Sequence, residues 1–260
     1  MGKLYEALER AEEELKRSDK AKEASDEITI EKETFEKPPM MLASERSIPS
    51  SALLMEDEMM ALYQSMNALL PDAAKKTIQF IGSREDEGTS TIIREFAMVS
   101  VMKFGKSVLL LDADSQKYSQ YGYFDIKPTY KLEDAIHNDI PTNKVLHQVD
   151  ELSLYVSQFH INSPFTAEFF DPAKRQHYWK IFRKDFDFIL IDSPPATLSS
   201  VSSTIADKVD GIVLVLESEK TRWPVAERVK TNIIKNGGKI LGLVMNKKCY
   251  HIPDFIYKRL

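Results

Sequence analysis

Cysteine is almost absent: Cys249 is the only one in 260 residues, which excludes a disulfide framework and a thiolate metal cluster. No apolar run approaches the roughly 18 residues of a membrane span, and nothing at the N-terminus resembles a signal peptide, so the chain reads as cytoplasmic. Positive charge is not in excess. With 35 Lys and Arg against 40 Asp and Glu the net charge is -5, which argues against a generalised nucleic-acid-binding surface. The five histidines, His137, His147, His160, His177 and His251, show no metal-ligand spacing. No Ser, His and Asp occur in an order that comes with a hydrolase nucleophile elbow. The absence with the largest consequence is a single lysine, missing from a loop that otherwise has the outline of a phosphate cradle.

That loop is Gly82-Ser83-Arg84-Glu85-Asp86-Glu87-Gly88-Thr89-Ser90-Thr91. A P-loop runs Gly, four free residues, Gly, Lys, then Ser or Thr, because small residues let successive backbone amides curl around phosphate while the lysine reaches the β and γ oxygens. Gly88 and Ser90 are in register, Ser83 takes the place of the first glycine with Gly82 just before it, and Thr89 stands where the lysine belongs. The flanks support the assignment. Thr77 to Ile81 is a short apolar run suited to a buried strand, and Ile92, Ile93, Phe96, Ala97, Val99 and Phe104 recur at helical spacing. The competing reading is a polar turn whose glycines only permit the bend.

Four further runs read as strands: Lys106-Ser107-Val108-Leu109-Leu110-Leu111-Asp112-Ala113-Asp114, which ends in two acids, Phe186-Asp187-Phe188-Ile189-Leu190-Ile191-Asp192-Ser193-Pro194-Pro195, Gly211 to Glu217, and Ile240 to Asn246. Continuous apolar runs suit central parallel strands covered on both faces, and strands separated by helical stretches imply right-handed crossovers. The fold class is therefore α/β: a doubly wound, mostly parallel sheet flanked by helices, with ligands at the carboxyl ends of the strands. Asp112, Asp114 and Asp192 fall at such ends, where with the Ser90 hydroxyl they offer a ligand set for Mg²⁺. A lone strand-end Asp can instead simply cap the next helix.

The chain divides near residue 53. In residues 1–17, Leu4, Leu8, Ala11 and Leu15 form one stripe on a charged helix, too narrow to fold alone. Residues 18–52 have the Lys, Glu, Ser and Pro content of a flexible linker. The helix reads as a docking element on a leash, or as one packed on its own domain. Residues 53–260 form the α/β domain, entered by a helix from Leu54 to Leu70 with Met55, Met59, Leu62, Met66, Leu69 and Leu70 available for packing.

The loop, the acidic strand ends and the run Gly242-Leu243-Val244-Met245-Asn246 together resemble the ParA/MinD branch of P-loop ATPases, and most closely the cytoplasmic domain of bacterial tyrosine kinases of capsule and exopolysaccharide synthesis. The likeness covers about residues 54 to 257, and the start Met1-Gly2-Lys3-Leu4-Tyr5-Glu6-Ala7-Leu8 is similar to the leader of stand-alone members. It implies ATP or ADP with Mg²⁺ as cofactors. Ser83, Glu85, Asp86, Glu87, Gly88, Thr89, Ser90 and Thr91 would wrap the phosphates, with Asn246 at the adenine. Ser90, Asp112 and Asp192 would serve the metal, and Asp112 or Asp114 would be the base toward a tyrosine hydroxyl, beside Asp192 as the Walker B acid. The implied partner is a membrane-embedded polysaccharide chain-length determinant, placing the chain at the inner membrane's cytoplasmic face; a homo-oligomer is compatible, and nucleic acid is not expected.

Three departures set the chain apart from an active kinase. Thr89 removes the cation that stabilises the transferring phosphoryl group. The family's Glu-x-x-Arg-x-x-Arg association pattern reads Glu58-Met59-Met60-Ala61-Leu62-Tyr63-Gln64, without arginine, and only Tyr250 and Tyr257 could replace its C-terminal tyrosine cluster. Arg84 and Lys247 are the cations that could be lent from nearby. The sequence therefore predicts a kinase-like regulator binding nucleotide weakly or not at all. The alternatives are an active autokinase with a relocated cation and, more remotely, a ParA-like positioning ATPase with Arg84 in place of that family's early lysine.

Overall fold

The computed structural model describes residues 53–114, 119–128, 130–132, 134, 141, 144–159, 182, 184–199 and 201–249. The proposed N-terminal helix, the linker, and the tyrosines Tyr250 and Tyr257 lie outside the described residues. Among the described residues no helix is long and apolar enough to cross a membrane.

Seven strands form one sheet: β1 (Lys76–Gly82), β2 (Val108–Asp112), β3 (His147–Gln148), β4 (Leu154–Gln158), β5 (Phe188–Ser193), β6 (Gly211–Glu217) and β7 (Ile240–Asn246), in the spatial order β3-β4-β2-β5-β1-β6-β7. Every pairing is parallel except the short β3 against β4. Every residue of β1, β2 and β5 is buried, which is why β2 and β5 read as nearly continuous apolar runs, whereas β1 also buries Lys76, Thr77 and Gln79. The edge strand β7 exposes Leu243 and Met245. The five strands expected from sequence are present, and β3 and β4 extend the sheet beyond them. Leu154 to Gln158 is too short and mixed in polarity for its run to stand out, and it gains its burial by pairing with β2.

The helices are α1 (Glu56–Leu69), α2 (Thr89–Met102), the single turns α3 (Ser119–Tyr123) and α4 (Val201–Thr204), and α5 (Trp223–Lys235). α2 is buried at every residue from Ile92 to Val101, between the sheet and α1. Phe96 sits in an aromatic cluster with Phe80, Phe188 and Tyr63. The expected face of α1 needs one correction: Leu69 is 45% exposed, and Tyr63 does the packing in its place, stacked on Phe104 with ring centroids 3.7 Å apart. Met59, Tyr63 and Met66 are spaced four and three residues apart and form one stripe, on which Leu69 does not fall. This core fixes the carboxyl ends of β2, β5, β1, β6 and β7 side by side in that order. Asp112 and Asp192 occupy partnered positions on adjacent strands.

Candidate functional site

The loop between β1 and α2 curls back toward its own start. The Glu87 carboxylate, with its residue 2% exposed, accepts hydrogen bonds from Ser83 N–H at 2.5 Å, the Ser83 hydroxyl at 2.7 Å and Arg84 N–H at 2.9 Å. A fourth comes from the Thr221 hydroxyl, in the segment joining β6 to α5. Thr197, following β5, donates its hydroxyl to Ser83 O at 2.7 Å. The loop is thus braced from both neighbouring strand ends. Glycine is required twice. A Cβ at Gly82 would lie 2.7 Å from Thr89 Oγ1 and 3.2 Å from Glu87 Oε2. Gly88 has φ of +86° at the start of α2, and a Cβ there would collide with the Asn246 side chain.

Gly88, Thr89 and Ser90 open α2, and their N–H groups find no acceptor among the described residues. Unpaired N–H groups at a helix start form a nest of donors of the kind that receive an anion. Charge around the nest is unfavourable to phosphate. Beside it lies a polar cavity of about 370 Å³ lined by Arg84, Glu85, Asp86, Glu87, Glu217 and Lys220, so acids outnumber bases on its walls. Thr89 Oγ1 turns toward Gly82. Lys247 is the cation that reaches the loop: its Nζ donates to Asp86 O and pairs with Glu217 at 3.5 Å. Arg84 and the acids Glu85 and Asp86 point outward as exposed residues. Asn246 Nδ2 donates to Glu87 O at 2.8 Å, and its Oδ1 accepts Lys247 N–H at 2.8 Å. Its side chain braces the loop, a contact different from the adenine one implied by resemblance.

The acids form the second half of the site. Asp112 Oδ2 accepts Gln120 N–H at 3.0 Å and Oδ1 accepts Asp114 N–H at 3.3 Å, so Asp112 does cap the next helical turn. It is also fully buried, and burial together with the facing Asp192 pushes its carboxyl up to about 8. Burial raises Asp192 to about 6, while hydrogen bonds from Gln120 and Ser90 pull it the other way and Arg94 adds its charge. Two acids at strand amino ends, Asp187 and Asp210, are different in kind. They accept Ser107 N–H and Thr77 N–H and hold the sheet together. The structure thus brings Ser90, Asp112, Asp114 and Asp192 together, with Thr91 one turn into α2, where its N–H bonds Gly88 O at 3.1 Å. Ser90, Asp112 and Asp192 present hard oxygen donors, a donor set that fits Mg²⁺. They supply only two carboxylates: among the described residues no group of three or more His, Cys, Asp or Glu is arranged to hold a metal.

Three participants were not evident from the sequence. Gln120 and Arg94 are buried beside the acids, and Thr221 reaches Glu87 from 134 residues away. Gln120 lies in a polar stretch without a motif, and Arg94 breaks the apolar stripe of α2; that break was the one available signal. Trp223, the first residue of α5, is 70% exposed beside Thr197 and Arg228 in a groove along that helix.

The model for the AAA domain family matches residues 75–232. The chain is 27% identical over 187 residues to the tyrosine-protein kinase CpsD of Streptococcus agalactiae, an alignment covering 68% of this chain and 81% of that protein. The kinase domain of the Escherichia coli tyrosine kinase ETK shares its fold with a TM-score of 0.63 at 17% identity, covering 76% of this chain and 79% of that one. For the MinD cell division protein of Aquifex aeolicus the TM-score is 0.52 at 20% identity, covering 71% and 72%. The chain belongs to the AAA domain family, as a member resembling the bacterial tyrosine kinases and built on the MinD-type P-loop fold.

Proposed function

We propose that this chain is a kinase-like regulator of exopolysaccharide or capsule synthesis, acting at the membrane with a chain-length determinant and binding ATP or ADP weakly or not at all. The observation that carries this reading is that, among the described residues, a threonine holds the lysine position of the loop. Position 89 is a threonine turned toward Gly82, and Lys247 is engaged on the outer side of the loop by Asp86 O and Glu217. A triphosphate entering the nest finds no lysine at position 89 and a neighbouring wall on which acids outnumber bases, and each uncompensated contact weakens binding. The similarity to CpsD supports the kinase-like part of the reading. The chain-length determinant as partner rests on the family resemblance, with residues 1–17 as the proposed docking element.

Calorimetric titration with ATP and ADP in Mg²⁺ tests this. The native chain is expected to bind at best in the upper micromolar range, and Thr89→Lys to gain about tenfold or more, the size of one charge-assisted phosphate contact. Low-micromolar binding by the native chain, with hydrolysis lost in Asp114→Ala, would overturn the reading.

A second reading, an autokinase with a relocated cation, has Lys247 in its favour, since its Nζ already touches the loop. It requires phosphate on Tyr250 or Tyr257 after incubation with ATP and Mg²⁺, and loss of that phosphate in Lys247→Ala. Mass spectrometry that finds neither tyrosine modified rejects it.

A further inference from the structure

Gln120 occupies the centre of the acid cluster. Fully buried at the start of α3, it sends Nε2 to Asp192 Oδ2 at 2.7 Å and to Ser90 O at 2.9 Å, while its backbone N–H reaches Asp112 Oδ2 at 3.0 Å. One residue thereby touches a carboxylate oxygen of both candidate acids and the backbone carbonyl of Ser90, each through a donor hydrogen. Its carboxamide has only one orientation that works. Arg94 Nη1 donates to Gln120 Oε1 at 3.3 Å, so the oxygen faces the guanidinium and the NH₂ must face the acids. Arg94 is itself anchored, its guanidinium carbon 3.7 Å from the Tyr123 ring centroid. Among the described residues its Nε has no hydrogen-bond partner.

A divalent cation held by the Asp112 and Asp192 carboxylates competes for oxygens that Gln120 now bonds, because a metal and an N–H donor cannot share the same lone pair. We propose that the Arg94–Gln120 pair is a built-in stand-in for the cation: Gln120 donates the hydrogens, and Arg94 supplies the nearby charge that keeps the two acids folded side by side without metal. Gln120 is then the positioning residue that sets the chain's affinity for divalent ions, and metal enters only when its side chain swings out. The proposal rests on reading Ser90, Asp112 and Asp192 as the cation ligands, and not on whether nucleotide binds.

The test uses Mn²⁺ alone, without nucleotide, read by the loss of its free electron paramagnetic resonance signal and by the shift in Tm of the full chain. The native chain is expected to bind Mn²⁺ weakly. Gln120→Ala, which removes the donor and opens the space, is expected to melt lower in the absence of metal, to bind Mn²⁺ at least about tenfold more tightly, and to recover several degrees of Tm as Mn²⁺ is added. Asp192→Asn combined with Gln120→Ala should abolish the gain. If Gln120→Ala does not fold, Gln120→Asn, which withdraws the carboxamide by one methylene, carries the same expectation. Equal Mn²⁺ binding by native and variant chains, tight or absent, overturns the proposal. Tight ATP binding by the native chain would sink the functional reading while leaving this metal comparison standing.

Discussion

Glu87 shows what one side chain contributes to a loop that has lost its lysine. Its carboxylate accepts from two backbone amides and two hydroxyls, a set that stabilises a buried negative charge without any cation. Removing it strands the buried Ser83 N–H and hydroxyl and unpairs the half-buried Arg84 N–H. Glu87→Ala is expected to destabilise the fold by about 2–4 kcal/mol, since each buried donor left unpaired costs about 1–3 kcal/mol, and urea denaturation measures it. Thr221→Ala, which removes one donor and leaves the carboxylate three, should cost no more than about 1.5 kcal/mol. Equal losses for the two variants would mean that the bond between the segments, and not the loop's own closure, carries the stability. The sequence placed Glu87 in the loop but gave no hint that its side chain turns inward. That turn depends on Asp86 adopting a φ of 60° and on Thr221 arriving from the next strand, and neither is written in local pattern.

At the scale of elements, legibility followed burial. The central strands could be read almost to their ends because both faces are covered and every position is apolar or ends in an acid of the site. Short or one-sided elements were not legible: α3 is five residues long and its role lies in Gln120, a residue type that marks no motif. The packing of α1 on α2 gives the sharpest test at this scale. Phe96 is fully buried and touches the rings of Tyr63, Phe80 and Phe188 from α1, β1 and β5. Phe96→Ala should cost about 3–5 kcal/mol in chemical denaturation, by lost burial and the cavity left behind. Leu69→Ala, on the exposed side of α1, should stay within about 0.5 kcal/mol. A large effect at Leu69 would indicate that something covers this face in solution.

The whole molecule carries the consequence of its acids in its dependence on pH. Asp112 is pushed up to about 8 and Asp192 to about 6, both above the ordinary carboxylate value of 3.8, with burial the first cause in each case. The folded chain therefore retains protons that the unfolded chain releases. Where the native state binds more protons than the unfolded one, stability falls as pH rises, so this contribution is fully present below about pH 4 and is lost progressively toward pH 8. Urea midpoints are expected to be higher at pH 5.5 than at pH 8.5. Asp112→Asn, which keeps the shape and cannot ionise, should flatten the profile and exceed the native midpoint at pH 8.5. A bound cation reverses the sign, because it favours the ionised acids and stabilises most at high pH. A native chain purified with chelator whose midpoint rises between pH 5.5 and 8.5 would therefore have its two acids ionised and already compensated. In that case the charge of Arg94, acting through Gln120, would neutralise them more completely than their burial opposes ionisation.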